Sequence, residues 1–205
     1  MTADELAGLI RARVGQAGRG RFMVALAGPP ASGKSTVAAR LAQALGTDAR
    51  VVPMDGFHFD DAVLAARGLG ARKGAPETFD VAGFLHLLER LRTEDEVAIP
   101  IFDRAKELSR AAADVVTAND RILLVEGNYL LLRDRPWAAA AAFFDLTVFL
   151  PVPVPELKAR LLQRWAAYGR SAADARHWID TNDLPNIRTV LERSAPAMLT
   201  LDERG

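Results

Sequence analysis

Residues 28–36 read GPPASGKST: glycine, four residues, glycine, lysine, serine, directly after the apolar run RFMVALA at 21–27. Gly28 and Gly33 let the backbone curl until successive amide N–H groups converge. The helix that the following spacing predicts adds its N-terminal dipole at the same point. Such a point suits phosphate oxygens. Pro29, Pro30, Ala31 and Ser32 form the turn, and Thr36 completes the stretch expected to contact phosphate. Lys34 supplies a mobile cation for β and γ phosphates, and Ser35 a hydroxyl suited to Mg²⁺. The mechanism needs strand, loop and helix in that order, and the sequence has them. ATP with Mg²⁺ is the expected ligand set.

Composition removes other classes. The 205 residues are half hydrophobic, enough for one domain with a full core and few for two. Acidic and basic residues balance at 26 each, and only four of the bases are Lys, so no broad basic field attracts nucleic acid or anionic lipid. Any phosphate must be held locally. Cysteine is absent, which excludes disulfides and thiolate metal sites. The N-terminal MTADELAGLIRARVG carries early acids and helix-spaced apolar residues, unlike a signal peptide, and no apolar run approaches the roughly 20 residues of a membrane span. A soluble cytoplasmic protein is expected, with no nucleic-acid or membrane partner.

Strands are expected at 21–27, 50–54, 97–101, 121–126 and 145–150, with a weaker one at 197–201. Helical spacing lies between them, as in Val81, Phe84, Leu85, Leu88 and Leu91, which Asp80 is placed to cap. WAAAAAFF and SAADARHW read as helix. Continuous apolar strands alternating with helices imply an α/β fold: a parallel sheet of about five strands with helices on both faces. Ligands then sit beyond the carboxyl ends of the strands. Two acids stand there. RILLVEG ends an apolar strand at Glu126, suited to hold Mg²⁺ through water opposite Ser35. VPMDGFHFDD ends the strand at 50–54 with Asp55. That strand is expected beside the strand at 21–27, so Asp55 would emerge where the γ phosphate sits and could accept a proton from an attacking hydroxyl. Asp145, at the start of its strand, is read as structural.

These motifs together resemble the P-loop metabolite kinases of the uridine kinase, pantothenate kinase and phosphoribulokinase group. MDGFH matches the segment that carries that group's catalytic base, here Asp55. RKGAPETFDVAGFLHLL is similar to part of bacterial pantothenate kinases, IPIFDRAKE to the acceptor-contacting segment of uridine kinases, and EGNYLLL to the second-carboxylate segment. The likeness covers nearly the whole chain and runs closest to short bacterial uridine kinase-like proteins named as fructose transport system kinases. It implies the P-loop NTPase fold over 1–205 as a single kinase domain, with a helical lid at roughly 155–180.

Departures bear on the acceptor. Where uridine kinases have Tyr and, five residues on, His, this chain has Phe102 and Glu107, so a uracil-reading pocket is not expected. Arg104 stands where pantothenate kinases have His. His58, Asp103, Arg104 and Glu107 remain as groups for hydroxyls and an anion, with Phe57 and Phe79 as walls; a sugar-like or polyol acceptor fits. In PVPVPELKARLLQRWAAYGRS, Pro155 can open a helix on which Arg160 and Arg164 share a face while Leu157 and Leu161 point elsewhere. The resemblance makes this helix the lid, hinged at Gly169, whose arginines neutralise the transferring phosphoryl group. TNDLPN reads as a turn before a helix, placed by the resemblance near the adenine. His86 and His177 read as packed or solvated.

The expected activity is transfer of the γ phosphoryl group of ATP to a hydroxyl of a small metabolite, sugar or nucleoside-like. The alternatives are a non-catalytic or regulatory ATP-binding protein, which would need no base at Asp55, and a nucleotide- or gluconate-type kinase. A GTPase is disfavoured by the lack of Asn-Lys-x-Asp. Oligomeric state stays open.

Overall fold

The computed structural model describes residues 1–202 except 17 and 19. Strands β1 (Phe22–Ala27), β2 (Ala49–Pro53), β5 (Ile122–Gly127), β6 (Leu146–Phe149) and β7 (Leu199–Thr200) form one parallel sheet in the order β2-β5-β1-β6-β7. Every residue of β1 and β5 is buried, as central parallel strands require. Their side chains alternate between two cores. Met23, Ala25, Leu123 and Val125 face helix α4 (Val81–Thr93) together with Tyr129 and Trp137. Val24, Leu26, Ile122, Leu124 and Val148 face α1 (Ala3–Gln16) and α2 (Lys34–Leu45). Each such Leu or Val contributes about 1.5–3 kcal/mol by leaving water.

Local signals set several ends. Asp80 caps α4, its Oδ1 accepting from the Gly83 amide at 2.9 Å, and Val81, Phe84, Leu88 and Leu91 are buried. Asp60 caps α3 (Asp61–Ala66) through the Ala62 amide, and Ser171 caps α6 (Ala172–Trp178) through the Asp174 amide. WAAAAAFF is helical, as a 3₁₀ stretch at Trp137–Phe143. Asp145 is structural: its Oδ2 accepts from the Met23 amide at 2.7 Å and from Arg92 at 2.8 Å.

Three expectations are corrected. The strand at 50–54 does not lie beside β1; β5 stands between them, with Pro53 opposite Glu126. The chain crosses over β5's place and fills it later, which brings Asp55 next to Glu126. The run at 97–101 is not a strand of the parallel sheet. It begins β3 (Val97–Asp103), which pairs antiparallel with β4 (Leu108–Val116). β4 carries no strand signal in the sequence, since its middle, Arg110, Ala111 and Ala112, is exposed and shows no alternation. Last, TNDLPN is no turn: Ile179–Asp183 is a π-helical stretch that joins α6 to α7 (Leu184–Arg193) without a break.

Candidate active site

The carboxyl ends of β1, β5 and β2 form one edge, and the loop 28–33 curls over it. Ala31 and Gly33 take left-handed φ of 64° and 91°, a conformation that costs an alanine about 1–2 kcal/mol and a glycine little. The curl turns the loop onto the N-terminus of α2, which has no side-chain cap, so its first amides are left for a ligand. Ser35 and Thr36 are exposed at this end.

Lys34 is buried beneath the loop. Its Nζ donates to Asn128 Oδ1 at 2.7 Å and to the Pro29 carbonyl at 3.0 Å. Burial lowers its pKa to about 8, against the opposing pull of Glu126 and Asp55. Asn128 was missed by sequence reasoning, although its place two residues after the strand-end acid could have marked it. Ser35 Oγ donates to Glu126 Oε1 at 3.1 Å. Burial, and then the charge of Asp55, push the Glu126 carboxyl above its ordinary value. A hydroxyl and a carboxylate oxygen beside uncapped amides suit a hard cation shared with phosphate oxygens, so the residues fit Mg²⁺. Among the described residues no group of three His, Cys, Asp or Glu could hold a metal by itself.

Asp55 lies in a 3₁₀ turn, Met54–Phe57, just past β2. Gly56 is required by packing: a Cβ there would stand 2.3 Å from the Pro100 carbonyl oxygen of β3. The hairpin thus presses on the acid's turn and delivers Arg104, whose Nη2 lies 2.5 Å from Asp55 Oδ2. His58 Nε2 is 4.0 Å from Asp55 Oδ1. The His58 ring stacks on Phe79 at 4.0 Å and meets Phe102 at 4.9 Å. Burial lowers its pKa to about 4, so it is neutral at pH 7.

The other expected acceptor groups divide. Asp103 Oδ1 accepts from the Ala105 and Lys106 amides at 3.1 Å each, shaping the β3–β4 turn. Glu107 lies 3.4 Å from Lys73, which also pairs with Asp61 at 2.7 Å. Phe57 turns to the core against Phe84, and Phe79 backs His58; the half-buried Phe102 lies under Arg104 at 5.7 Å and Lys73 at 5.5 Å. Lys73 was not expected at the site, and its basic position within RKG was the available signal. His86 and His177 are exposed.

Helix α5 (Val154–Ala167) carries the two expected arginines. Leu157 and Leu161 are buried against Ala31, Ile179 and Ile187, seating the helix on the phosphate loop. Arg160 donates to the Ala31 carbonyl at 3.2 Å and to Glu156 at 2.5 Å. The half-buried Arg164 guanidinium has no hydrogen bond or ion pair with a described residue. Burial and then the charge of Arg104 lower its pKa. Gly169, between α5 and α6, has φ of 78° and open space at its Cβ. Beyond it, Asp183 accepts from Trp165 Nε1 at 2.8 Å, and Asn182 binds Arg72 at 3.2 Å and the Lys73 carbonyl at 2.8 Å. TNDLPN therefore ties α5 to the segment at 72–74.

A phosphate loop at the end of β1, a hydroxyl–carboxylate pair and arginines from a helix seated on the loop define a P-loop kinase. Residues 23–176 match the phosphoribulokinase/uridine kinase family, and the chain belongs to it. It is 38% identical over 189 residues to the Escherichia coli protein YggC, covering 89% of this chain and 78% of that one. It is 36% identical to a Schizosaccharomyces pombe protein provisionally named uridine kinase, over 83% of this chain and 78% of the other. A crystal structure from Silicibacter sp. TM1040, provisionally named a fructose transport system kinase, superposes with a TM-score of 0.93 at 43% identity, covering 98% of both chains. Among the described residues no helix is long and apolar enough to cross a membrane.

Proposed function

We propose that this kinase transfers the γ phosphoryl group of ATP to a hydroxyl of a small, non-nucleobase metabolite of sugar or polyol type, with Asp55 as the base. One observation carries the reading: Lys34 buried beneath the loop on Asn128 at 2.7 Å, Arg104 paired with Asp55 at 2.5 Å, and Arg164 gather at the edge that bears Asp55 and Glu126, where both arginines disfavour the charge of Lys34 and Asp55 disfavours that of Glu126. An anion with a cation of its own relieves both repulsions, which is what Mg-ATP would bring.

Ser35 and Glu126 would hold Mg²⁺, which would supply positive charge to offset that on the phosphates during transfer. The uncapped α2 amides and Lys34 orient the triphosphate. Arg160, already bonded to the loop, and Arg164 face the same region and offset charge spread over the transferring group. Asp55 accepts the acceptor's hydroxyl proton at Oδ1 or Oδ2, and Arg104 fixes the carboxylate's direction. Neutral His58 offers a hydrogen bond without adding charge. Phe102 and Glu107, in place of a base-reading pair, support an acceptor recognised by its hydroxyls. The regulator alternative leaves the pairing of Asp55 with Arg104 without a purpose.

The test is acceptor-dependent ADP release from Mg-ATP across sugars, polyols, nucleosides and pantothenate-like alcohols. At least one hydroxyl compound is expected to raise the rate well above hydrolysis. Tight ATP binding with no active acceptor would favour the regulator.

A further inference from the structure

Away from the phosphate loop, a cavity of about 590 Å³ opens between the segment at 72–82, the chain at 132–137 and the end of α7. Lys34, Ser35, Asp55, Arg104 and Glu126 do not line it. We propose that this cavity binds an anionic metabolite with a flat or apolar body, and that its occupancy is felt at Asp55. This goes beyond the kinase reading, since binding here involves none of the residues assigned to transfer.

The volume lies within the range of about 300–1,000 Å³ usual for small-molecule sites. Four guanidiniums line it: Arg67, Arg72, Arg135 and Arg193. Two already have carboxylates, Arg72 with Glu77 at 3.5 Å and Arg193 with Asp134 at 2.7 Å. Asp80 also lines the cavity, but its Oδ1 is taken by the α4 cap. Arg67 lies over the Phe59 ring at 4.2 Å, and neither it nor Arg135 has a carboxylate partner among the described residues. Two planar cations are therefore left for a phosphate or carboxylate, the groups their forked donors match. Half-buried Phe59 and exposed Pro136 supply apolar surface for the rest of the ligand, and buried Trp137 lines the wall, its indole fixed by its bond to the Pro76 carbonyl at 3.2 Å.

The path to the base is short. The Phe59 amide donates to the Thr78 carbonyl at 3.0 Å, and the Asp80 amide to the Phe57 carbonyl at 2.8 Å, so the segment bearing the base is laced to the cavity wall. Phe79 lines the cavity and stacks on His58, which stands 4.0 Å from Asp55. A ligand bearing on Phe59 and Phe79 therefore bears on both strands of that lacing.

The protein has three Trp and three His, so 5-fluorotryptophan and ¹⁵N-histidine spectra can be assigned by single substitutions. Pyrophosphate and citrate are titrated up to about 10 mM into full-length protein saturated with Mg²⁺ and AMPPNP, and separately into Lys34→Ala. The expected result is a saturable shift of Trp137 with at least one of them, present in both backgrounds, accompanied by a shift of the His58 ring. In Arg67→Ala/Arg135→Ala, whose mutated side chains hold no core contact, the apparent affinity should fall roughly tenfold or more. Which probe binds tells phosphate from carboxylate recognition. No Trp137 shift, a shift unchanged in the double variant, or a shift abolished by AMPPNP would overturn the site. A Trp137 shift without His58 would overturn its connection to Asp55.

Discussion

Arg104 Nη2 lies 2.5 Å from Asp55 Oδ2, although the two residues are 49 apart in sequence and follow strands of different sheets. The guanidinium fixes one carboxylate oxygen and leaves the other toward His58. Asp55→Asn keeps the shape and removes the charge. Its kcat for the acceptor reaction is expected to fall about 10²–10⁴-fold, with Mg-ATP affinity little changed. Acceptor-dependent ADP release beside calorimetry of ATP binding measures both, and wild-type turnover would remove Asp55 from the reaction.

Lys34 is expected to bind phosphate as a cation. Lys34→Ala should weaken Mg-ATP binding and abolish turnover while the fold persists. With its pKa lowered to about 8, the free protein loses this charge as pH rises through that value. ATP affinity in the wild type should therefore decline above about pH 8, and in Lys34→Ala this decline should disappear. Calorimetry from pH 7 to 9 decides it.

Arg160 and Arg164 sit on a helix whose apolar side is packed against the loop. Substituting either with Ala should lower kcat more than ATP affinity, because charge on the transferring group develops in the transition state. Equal losses in both quantities would make them simple ATP-binding residues.

His58 tests the pH dependence of stability. Its folded pKa of about 4 lies below the ordinary 6.5, so the unfolded chain takes up the proton first as pH falls. Its neutral form stabilises the fold fully above pH 6.5, and that stabilisation is lost between pH 6.5 and 4, by at most about 3 kcal/mol. Asp183, raised to about 6, moves the opposite way in this window. The effect is therefore read as the difference between wild type and His58→Phe in urea unfolding. The variant should lose less stability from pH 6.5 to 4.5, and parallel curves would contradict the buried neutral ring.

Gly56→Ala would place a Cβ 2.3 Å from a backbone oxygen of β3. Backbone on both sides must shift, so a loss of about 1–3 kcal/mol is expected, with lowered turnover as Asp55 and Arg104 separate. An unchanged midpoint in urea would show that the hairpin yields freely.

Local chemistry alone was enough for the phosphate loop, the strand-end acids, the Asp80 cap and the placement of Arg160 and Arg164 on one helix face. Each rests on spacing within a few residues: a glycine pattern, an apolar run that stops at Glu126, a period of four. The order of the sheet was another matter. Nothing within residues 50–54 records that β5, some seventy positions later, inserts between β2 and β1, because any apolar strand can fill a central slot and the choice depends on which pairing closes both cores. The β3–β4 ribbon was hidden for a related reason, since its pairing satisfies the backbone while leaving much of β4 exposed, so no hydrophobic alternation marks it. The same holds for Arg104 on Asp55, Asn128 on Lys34 and Asn182 on the Lys73 carbonyl. These contacts join segments 49, 94 and 109 residues apart, and only the packing of the whole chain brings their polar groups within reach.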